Sequence, residues 1–451
     1  MTRVTSKNKA IAAAIFFFVF ALAFSQPAKA QTSTADTGFT PYSLFGYGDL
    51  FRQGTGYNMA MGGTGIGDRN VRYINILNPA AVTAREAKSF MASFGVEQRD
   101  VYFAGNQATS INPGTSSDLL KSVNNTFNMH HIVASFPIYK HSAFKVGIMP
   151  YSTVGYSFRS HEEDDDLVSS LGDIQYTNVG QGGINQAFLG AGVTLFNRLS
   201  LGADAYYYFG TINRYSTAAF ATATQYRSMK TGWEYVLRGF SGKFGLQYEQ
   251  PLGGQMAAVI GATYKLGSQL HGDVTRFAYG YSSSSTDTIV SVKTPASGMD
   301  IPQEFGGGIS IRRNEHWTIA LDYTYQDWTS TYFSDEVKGS HFTSSKAQSF
   351  RAGFELTPDR FSIRSYMDRV TYRIGCYHED SYVALNNHQV TANGITFGMS
   401  FPVFRYFNAI TFSVDLGQRG SLANNLIRER YVLFNLSFDL HDIWFIKPLY
   451  N

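Results

Sequence analysis

The stretch NAITFSVDLGQ, Asn408–Gln418, alternates strictly between apolar residues and polar or small residues. Its two sets of alternate positions are Ile410, Phe412, Val414 and Leu416, and Thr411, Ser413, Asp415 and Gly417. Successive side chains of a β-strand point to opposite faces. The pattern therefore predicts a strand with one wholly apolar face and one polar face.

Three further stretches alternate in the same way: LSLGADAYYYF (199–209), WTIALDYTYQ (317–326) and RYVLFNLSFDL (430–440). Strands of soluble proteins average about 5–6 residues, whereas a tilted strand needs about 9–11 to cross a bilayer. These stretches have the longer length, and several end in aromatic residues, as membrane-interface girdles do. They predict an all-β fold, a transmembrane antiparallel β-barrel whose apolar faces contact lipid.

The composition suits such a barrel and argues against other classes. Charged residues make up 16% of the 451 residues and aromatic residues 15%, against about 25% charged in soluble domains. The net charge of +3 is too small to indicate the basic surface that binds nucleic-acid phosphates. The single cysteine, Cys376, excludes an internal disulfide framework and a thiolate metal cluster.

The N-terminus has the three parts of a secretory signal peptide. A basic region with Arg3, Lys7 and Lys9 precedes the apolar run Ile11–Phe24, and Ala28–Ala30 supplies small residues before a cleavage site. We predict a signal peptide at residues 1–30, a mature chain that begins at Gln31, and export to the cell outer membrane.

The connections between candidate strands predict their number. Short connections fall near 139–141, 197–198, 250–254, 313–315, 358–366 and 403–407. Long, polar connections fall near 104–126, 160–183, 213–231, 270–299, 330–345, 379–389 and 420–428. Short turns on one side and long loops on the other are typical of outer-membrane barrels. The alternation predicts about fourteen strands, with both chain ends on the short-turn side and the acidic run 162–166 in a solvated loop.

A leader of more than fifty residues precedes the first candidate strand. We assign residues 31–87 to an N-terminal periplasmic-side hatch, or plug, and residues 88–451 to the barrel with its extracellular loops. A barrel of about fourteen strands has an open lumen unless something fills it, and the leader is the candidate.

The leader contains the glycine-rich stretch GGTGIGD, residues 62–68. It is not a nucleotide site: the spacing of Gly63, Gly65 and Gly67 is not G-x-G-x-x-G, no apolar strand precedes it, and no G-K-[ST] follows. Glycines instead let backbone pass close to backbone in a crowded tube.

Two segments resemble the FadL-like family of outer-membrane transporters for long-chain fatty acids and hydrophobic compounds. The first is AMGGTGIGD…INILNPAAV, which ends in the family's Asn-Pro-Ala motif at Asn78, Pro79 and Ala80. The second is the strand pair 300–330, where Pro302, Trp317, Asp322, Tyr323 and Trp328 stand in the matching places. The hatch residues implied by the resemblance are Gly62, Gly63, Gly65, Gly67, Asn78, Pro79 and Ala80.

The resemblance implies passive, hatch-gated diffusion of a hydrophobic molecule. The ligand enters an apolar pocket in the lumen and leaves sideways through a gap made by a kinked strand. Pro150 cannot donate to a ladder and Gly155 weakens one, so these residues are the candidate lateral-gate kink, or else an ordinary bulge at the rim. Phe39, Tyr42, Leu44 and Phe45 are candidates to line the lumen, or else to pack the plug.

Other functional classes have weaker signals. No G-x-S-x-G or H-E-x-x-H motif is present, and in a regular strand His130 and His131 would point to opposite faces. We therefore predict that the protein is not an enzyme and has no catalytic residue, metal site or cofactor.

Two alternatives to transport stay open. One is an outer-membrane accessory barrel for protein secretion or surface attachment, which binds exported proteins. The other is a passive polar pore. The predicted partners are the outer-membrane bilayer and a hydrophobic small molecule, with exported proteins under the first alternative, and no nucleic acid.

Overall fold

The computed structural model describes residues 39–86, 88–105, 120–139, 141–162, 164–220, 226–282, 286–296, 299–314, 316–331, 342–403 and 408–443. The signal-peptide prediction at residues 1–30 and the start of the predicted hatch lie outside these residues. No helix in the described part of the chain is long and apolar enough to cross a bilayer.

Fourteen strands among the described residues form a closed antiparallel barrel, which confirms the predicted fold class. They are β1 (Ser89–Gly105), β2 (Leu120–Tyr139), β3 (Ser142–His161), β4 (Ile174–Leu195), β5 (Leu199–Phe220), β6 (Ser228–Gly253), β7 (Met256–Lys265), β8 (Glu304–Arg313), β9 (Trp317–Asp327), β10 (Lys346–Leu356), β11 (Thr371–Leu385), β12 (His388–Pro402), β13 (Ala409–Arg419) and β14 (Arg428–Ile443). Each strand pairs with the next in this order, and β1 closes the barrel against β14.

The burial pattern is that of a membrane barrel. On β13, Phe412 and Leu416 are 40% and 47% exposed on the outside, whereas Thr411, Ser413 and Asp415 are buried in the lumen. A soluble sheet would bury the apolar set instead. The apolar face of the alternating pattern therefore forms the outer band, and the polar face lines the lumen.

Several strands run beyond the bilayer on the side of the long connections, which we call the loop end. β4 and β5 have 22 residues each and β6 has 26. Between β7 and β8, a hairpin of strands His271–Tyr281 and Thr286–Pro295 extends the wall by pairing with β6. Short strands also lie at Asp49–Leu50, Ser268–Gln269, Asp300–Ile301 and Phe342–Ser344.

The predicted loops at 160–183, 213–231 and 379–389 are therefore too long. At the third, β11 and β12 meet in a tight turn at Asn386 and Asn387, both with positive φ. Outside the bilayer both faces of a strand meet water, so both faces carry polar residues. The alternation of apolar and polar residues is then lost, and the sequence no longer indicates a strand.

Residues 39–86, which we call the N-terminal segment, belong to the same compact unit as the barrel. The segment contains one α-helix, α1 (Gly56–Ala60), and two 3₁₀ turns, Pro41–Leu44 and Pro79–Thr83. A second α-helix, α2 (Asp165–Leu171), lies in the connection between β3 and β4, and 3₁₀ turns lie at Met367–Arg369 and Ala423–Asn425.

The outward face of β13 provides a test of the barrel. Replacing Phe412 with Arg places a charge in the apolar band and is expected to lower the free energy of unfolding by about 2–4 kcal/mol, the cost of such a charge near the bilayer midplane. Guanidinium titration of the protein folded into lipid vesicles measures this change. Phe412→Leu is the matched control, and an equal loss in both variants would contradict the lipid-facing assignment.

Candidate functional site

The glycine-rich stretch lies inside the barrel, where its backbone touches the backbone of the wall. A Cβ added at Gly67 would lie 2.8 Å from the carbonyl carbon of Gly308 on β8, closer than real Cβ contacts allow. Gly62 has φ +71°, and a Cβ there would lie 2.8 Å from the carbonyl oxygen of Cys376 on β11. Both positions need glycine, which explains the composition of the stretch.

The wall has its own glycines where the N-terminal segment touches it. A Cβ on Gly375 of β11 would lie 2.3 Å from the backbone nitrogen of Gly62, and one on Gly261 of β7 would lie 2.1 Å from the carbonyl oxygen of Ile66. The wall strands meet the segment in such contacts at Gly192, Gly202, Gly245, Gly261, Gly306, Gly308, Gly353, Gly375 and Gly398. The segment thus fits against strands around most of the circumference.

Polar side chains hold this segment in place. The carboxylate of Asp322, on β9, accepts hydrogen bonds from the backbone N–H groups of Gly65 (2.6 Å) and Ile66 (2.8 Å). Asn78 donates to the carbonyl oxygens of Ile66 (2.9 Å) and Leu246 (3.1 Å) and accepts from the N–H of Ala80. The Asn-Pro-Ala motif therefore joins the segment to β6. Its hatch role stays a prediction.

Ion pairs hold the earlier part of the segment. Arg52 pairs with Glu379 (3.2 Å) and Asp415 (2.7 Å), and its guanidinium lies over the ring of Tyr377. Asp49 pairs with Arg99 (3.0 Å) and Arg419. Burial alone would raise the pKa of Asp49, but these two arginines lower it below its usual value. Buried ion pairs cost desolvation, but removing one partner leaves an uncompensated charge, so each pair resists displacement.

The barrel wall is incomplete between β2 and β3. The ladder between these strands runs from the Tyr139–Ser142 pair to the Ile132–Ile148 pair and, among the described residues, goes no further. Beyond it, β2 pairs only with β1 over 120–131, and on its exposed side Val123 and Phe127 are 72% and 66% exposed. We call this opening the β2–β3 break.

Pro150 and Gly155 both lie on β3 at this break. The register between β3 and β4 shifts between Pro150 and Ser152, which is a bulge at the predicted kink. The Gly155 backbone bonds to the N-terminal segment: its carbonyl oxygen accepts from Thr40 N–H (2.8 Å), and its N–H donates to Ser43 Oγ (3.1 Å). The bulge coincides with the end of β2–β3 pairing, and its gating role stays a prediction.

The N-terminal segment covers the break from inside. Asp49 and Leu50 pair antiparallel with Thr153 and Ser152, on the edge of β3 that β2 leaves free. The N–H of Phe51 also donates to the carbonyl oxygen of Tyr151 (2.8 Å). The segment therefore takes the place of a strand in the wall.

A cavity of about 260 Å³ lies inside the barrel, lined by the N-terminal segment and by the wall strands. Phe51, Gly63 and Leu77 line it from the segment, and Asn128 and Tyr151 line it beside the break. Its charged lining residues are Asp49, Arg52, Glu97, Arg99, Lys243, Lys265, Glu304, Arg351, Glu379, Asp380, Asp415 and Arg419. The lining therefore combines charged groups, from the inward polar faces of the strands, with apolar side chains such as Leu50, Met149 and Phe188. The apolar pocket that the resemblance implies stays a prediction.

The four aromatic and aliphatic candidates for lumen lining pack elsewhere. Phe39 packs edge-on against Phe103, and Phe45 stacks on Phe342. The hydroxyl of Tyr42 donates to the carbonyl oxygen of Ile427 (2.6 Å), and Leu44 packs against the same buried cluster as Tyr42 and Phe45. None of the four lines the cavity, and contact with a ligand stays a prediction for them.

His130 and His131 do not point to opposite faces, as the regular-strand argument predicted. The β1–β2 register shifts at Gly95 and Val96, so that His130 is an extra residue in a bulge. Both imidazoles are buried, and their Nδ1 atoms lie 2.9 Å apart. A bulge defeats the alternation rule, and nothing in the local sequence marks it.

A serine hydroxyl lies beside the histidine pair. Ser93 Oγ lies 2.9 Å from His131 Nε2 and donates its hydrogen to Asp439 Oδ1 at 2.6 Å. With its hydrogen directed to Asp439, the Ser93 hydroxyl does not donate to His131 in this arrangement. The described residues also contain no group of three or more His, Cys, Asp or Glu side chains that could hold a metal ion.

Comparison with known proteins assigns the family. The sequence model of the BamG family matches residues 10–451. The chain belongs to the BamG family. No curated protein matches the chain.

Solved structures similar to this BamG-family chain are transporters with the FadL-like barrel fold. The toluene transporter TbuX of Ralstonia pickettii is 13% identical, with 86% of this chain and 98% of that chain covered and a TM-score of 0.53. A FadL homologue of Pseudomonas aeruginosa is 10% identical, with 88% and 99% covered and a TM-score of 0.53. The toluene transporter TodX of Pseudomonas putida is 15% identical, with 89% and 100% covered and a TM-score of 0.51. The resemblance seen in the sequence is confirmed for the barrel fold, and fatty-acid specificity is not.

The N-terminal segment should dock more tightly at lower pH. Burial raises the pKa of Asp68 to about 7, and the nearby carboxylate of Glu355 adds to this rise while Arg312 opposes it. The undocked carboxyl has the ordinary value near 3.8. The docked state therefore holds the proton more tightly, and docking weakens as the pH rises from about 4 to about 7 and is constant above.

Hydrogen exchange of the segment's amides between pH 4 and pH 8, corrected for intrinsic rates, measures this dependence. Asp68→Asn cannot ionise and should flatten the protection profile across that range. A wild-type profile as flat as that of the variant would contradict the account.

Proposed function

We propose that this protein is a hatch-closed passage in the outer membrane that transfers hydrophobic molecules from the loop end sideways into the bilayer. The observation that carries this proposal is the β2–β3 break with the N-terminal segment bonded into it. The segment is the hatch, as the resemblance implies. TbuX and TodX, which share the barrel fold, are toluene transporters.

The route follows from the position of the cavity. Asn128 and Tyr151 line the cavity on either side of the break, and Phe51 and Leu77 of the segment form part of the same wall. The segment and the wall beneath the cavity meet backbone to backbone, so a straight passage to the short-turn end requires many contacts to break. Release of the strand Asp49–Leu50 opens the shorter path, through the wall to lipid.

No chemical step is needed for such transfer. An apolar solute gains roughly 25 cal/mol for each Å² of surface it removes from water. Transfer of such a solute from water at the loop end to the bilayer core therefore lowers its free energy. The protein contributes a path across the polar outer layer and a gate that opens when the segment moves.

A disulfide across the break tests the gate. Leu50 and Ser152 are directly opposed in the ladder, so cysteines at these positions are within reach of each other. In a Cys376→Ser background, oxidation of L50C/S152C should abolish transfer of a fluorescent alkyl probe into the bilayer of proteoliposomes, and a reductant should restore it.

The control disulfide joins two opposed residues of the loop-end hairpin, Val274 and Thr294, through V274C/T294C. It should leave the transfer rate unchanged. An unreduced rate of probe transfer by the oxidised L50C/S152C barrel would contradict the gate proposal.

A second function, docking of exported proteins, is favoured by the edge of the loop-end hairpin. Strand Thr286–Pro295 pairs on one side only among the described residues and is exposed along its whole length. Ile289 is 60% exposed and Val292 52%. An exposed edge with apolar side chains is a template for a strand from another chain.

Substitution on this edge separates the two functions. Ile289→Lys adds a charge that opposes strand addition, whereas Thr286→Lys adds the same charge at the start of the strand. If the edge docks exported proteins, Ile289→Lys should reduce photo-crosslinking from position 292 to surface proteins in living cells several-fold more than Thr286→Lys, without a change in probe transfer. Equal crosslinking in the two variants would exclude docking at this edge.

A further inference from the structure

A chain of titratable and hydroxyl side chains runs along the inner wall of the barrel. It begins at Glu97 of β1, which lines the cavity. Glu97 Oε2 lies 3.8 Å from Nε2 of His130, and Nδ1 of His130 lies 2.9 Å from Nδ1 of His131. Among the described residues, His130 Nε2 has no hydrogen-bond partner, so this atom is the end of the bonded chain that faces Glu97.

Hydroxyl and carboxyl groups continue the chain from β2 to β12. Nε2 of His131 lies 2.9 Å from Oγ of Ser93, which donates to Asp439 Oδ1 at 2.6 Å. Thr411 Oγ1 lies 3.1 Å from Asp439 Oδ2 and 2.7 Å from Oγ of Ser400. All five side chains are buried. The bonded chain is therefore shielded from bulk water between its two ends.

The other end of the chain lies at the short-turn end of the barrel. Ser400 lines a second cavity of about 10 Å³, which is enough for about one water molecule. The β10–β11 connection contributes Arg360 and Arg369 to its lining, and Pro402 and Ala409 line it where β12 ends and β13 begins. The chain therefore joins the main cavity to the short-turn end.

We propose that this chain is a proton wire, which carries protons between the main cavity and the short-turn end while the N-terminal segment stays in the lumen. Each of its side chains can accept a proton on one atom and release one from another. An imidazole has two nitrogens, a carboxyl group has two oxygens, and a hydroxyl has both a hydrogen and lone pairs. This activity goes beyond the proposed passage, since it requires no movement of the segment.

The first half of the transfer passes through the two imidazoles. Glu97 takes up a proton from the cavity and gives it to Nε2 of His130, whose Nδ1 proton passes to Nδ1 of His131. The Nε2 proton of His131 passes to Ser93, and the hydroxyl proton of Ser93 passes to Asp439 along the bond that it already makes. Each imidazole and the serine end with as many protons as they had at the start.

The second half of the transfer leaves the carboxyl group of Asp439. After this group rotates, its proton passes to Thr411, the Thr411 proton passes to Ser400, and the Ser400 proton passes to water at the short-turn end. Arg373 is the nearest cation acting on Asp439, but it pairs with Glu355 at 2.7 Å. Asp439 is therefore not fixed as the anion of an ion pair.

Glu97 is likewise able to gain and lose a proton. The arginines that act on it most strongly are Arg99 and Arg52. Among the described residues, neither forms an ion pair with Glu97: Arg99 pairs with Asp49, and Arg52 pairs with Asp415. The carboxyl groups at both positions of the wire are thus left for proton exchange.

Proton flux into proteoliposomes tests the wire. The purified full-length chain is reconstituted into vesicles that contain a pH-sensitive dye, and an acid pulse is applied outside with potassium and valinomycin present to balance charge. The wild type should acidify the vesicle interior faster than it is acidified in protein-free vesicles. All variants are compared at equal amounts of folded barrel, measured by resistance to unfolding in SDS without heating.

Two variants interrupt the wire with little change in shape. Thr411→Val removes the hydroxyl between Asp439 and Ser400, and Asp439→Asn removes the group that takes up the proton. Each should lower the protein-dependent flux about tenfold or more, the order of effect expected when a positioned proton-transfer group is lost. The matched control is Thr324→Val, because Thr324 makes the same kind of bond, 2.6 Å to Ser349, outside the wire. It should leave the flux unchanged.

Two results would overturn the proposal. One is a wild-type flux no greater than that of protein-free vesicles. The other is equal flux through wild type, Thr411→Val and Asp439→Asn, which would show that protons cross by another route, such as a water-filled gap beside the segment.

The disulfide across the break separates the wire from the proposed passage. Oxidised L50C/S152C should block probe transfer and leave proton flux at the wild-type rate. Loss of both would contradict a wire that works with the segment in place. If the passage proposal fails, the disulfide has no effect on probe transfer, while the proton flux still depends on Thr411 and Asp439.

Discussion

The close packing of the N-terminal segment's backbone against the inner wall is the constraint on which the rest of the structure depends. At Gly62 and Gly67 on one side, and at Gly261 and Gly375 on the other, there is no room for a Cβ. Asp322 then satisfies two backbone N–H groups that this packing would otherwise leave buried without acceptors. A fourteen-stranded barrel is wide enough to hold an open channel, and this contact fills it.

The same segment explains how the wall tolerates a break. Unpaired strand edges within a bilayer leave backbone groups without hydrogen-bond partners, so an open β2–β3 ladder needs cover. Asp49 and Leu50 provide part of it by pairing with β3, and Thr40 and Ser43 bond the backbone at Gly155. The ion pairs of Asp49 and Arg52 tie this cover to β1 and β13. The part of the chain that fills the lumen and the part that covers the opening thus belong to one segment.

Much of this architecture could be predicted from the sequence. Strict alternation in stretches such as Asn408–Gln418 identifies the lipid face, because the period of a strand is fixed by its geometry. The glycine-rich stretch also predicts close backbone contact. It does not name the contacting partners, since those come from β7, β8 and β11, which lie far away along the chain.

The remaining features depend on irregularities that have no local sequence signal. The bulge at His130 turns two neighbouring imidazoles into the lumen, against the alternation rule. The charged groups of the cavity come together where the polar faces of many strands converge, so no single stretch of sequence shows them. The tight turn at Asn386 and Asn387 lies beyond the bilayer, where polarity no longer distinguishes strand from loop.

Hydrogen exchange of the protein in lipid nanodiscs, read at single-residue resolution, tests the central claim most directly. The account predicts that the amides of Gly65 and Ile66 exchange as slowly as those of mid-strand residues of β9. It also predicts that replacing Asp322 with Ala speeds exchange at those two amides much more than in β9. Rapid exchange at Gly65 and Ile66 in the unaltered protein would show that the segment does not lie bonded inside the barrel, and would contradict the account.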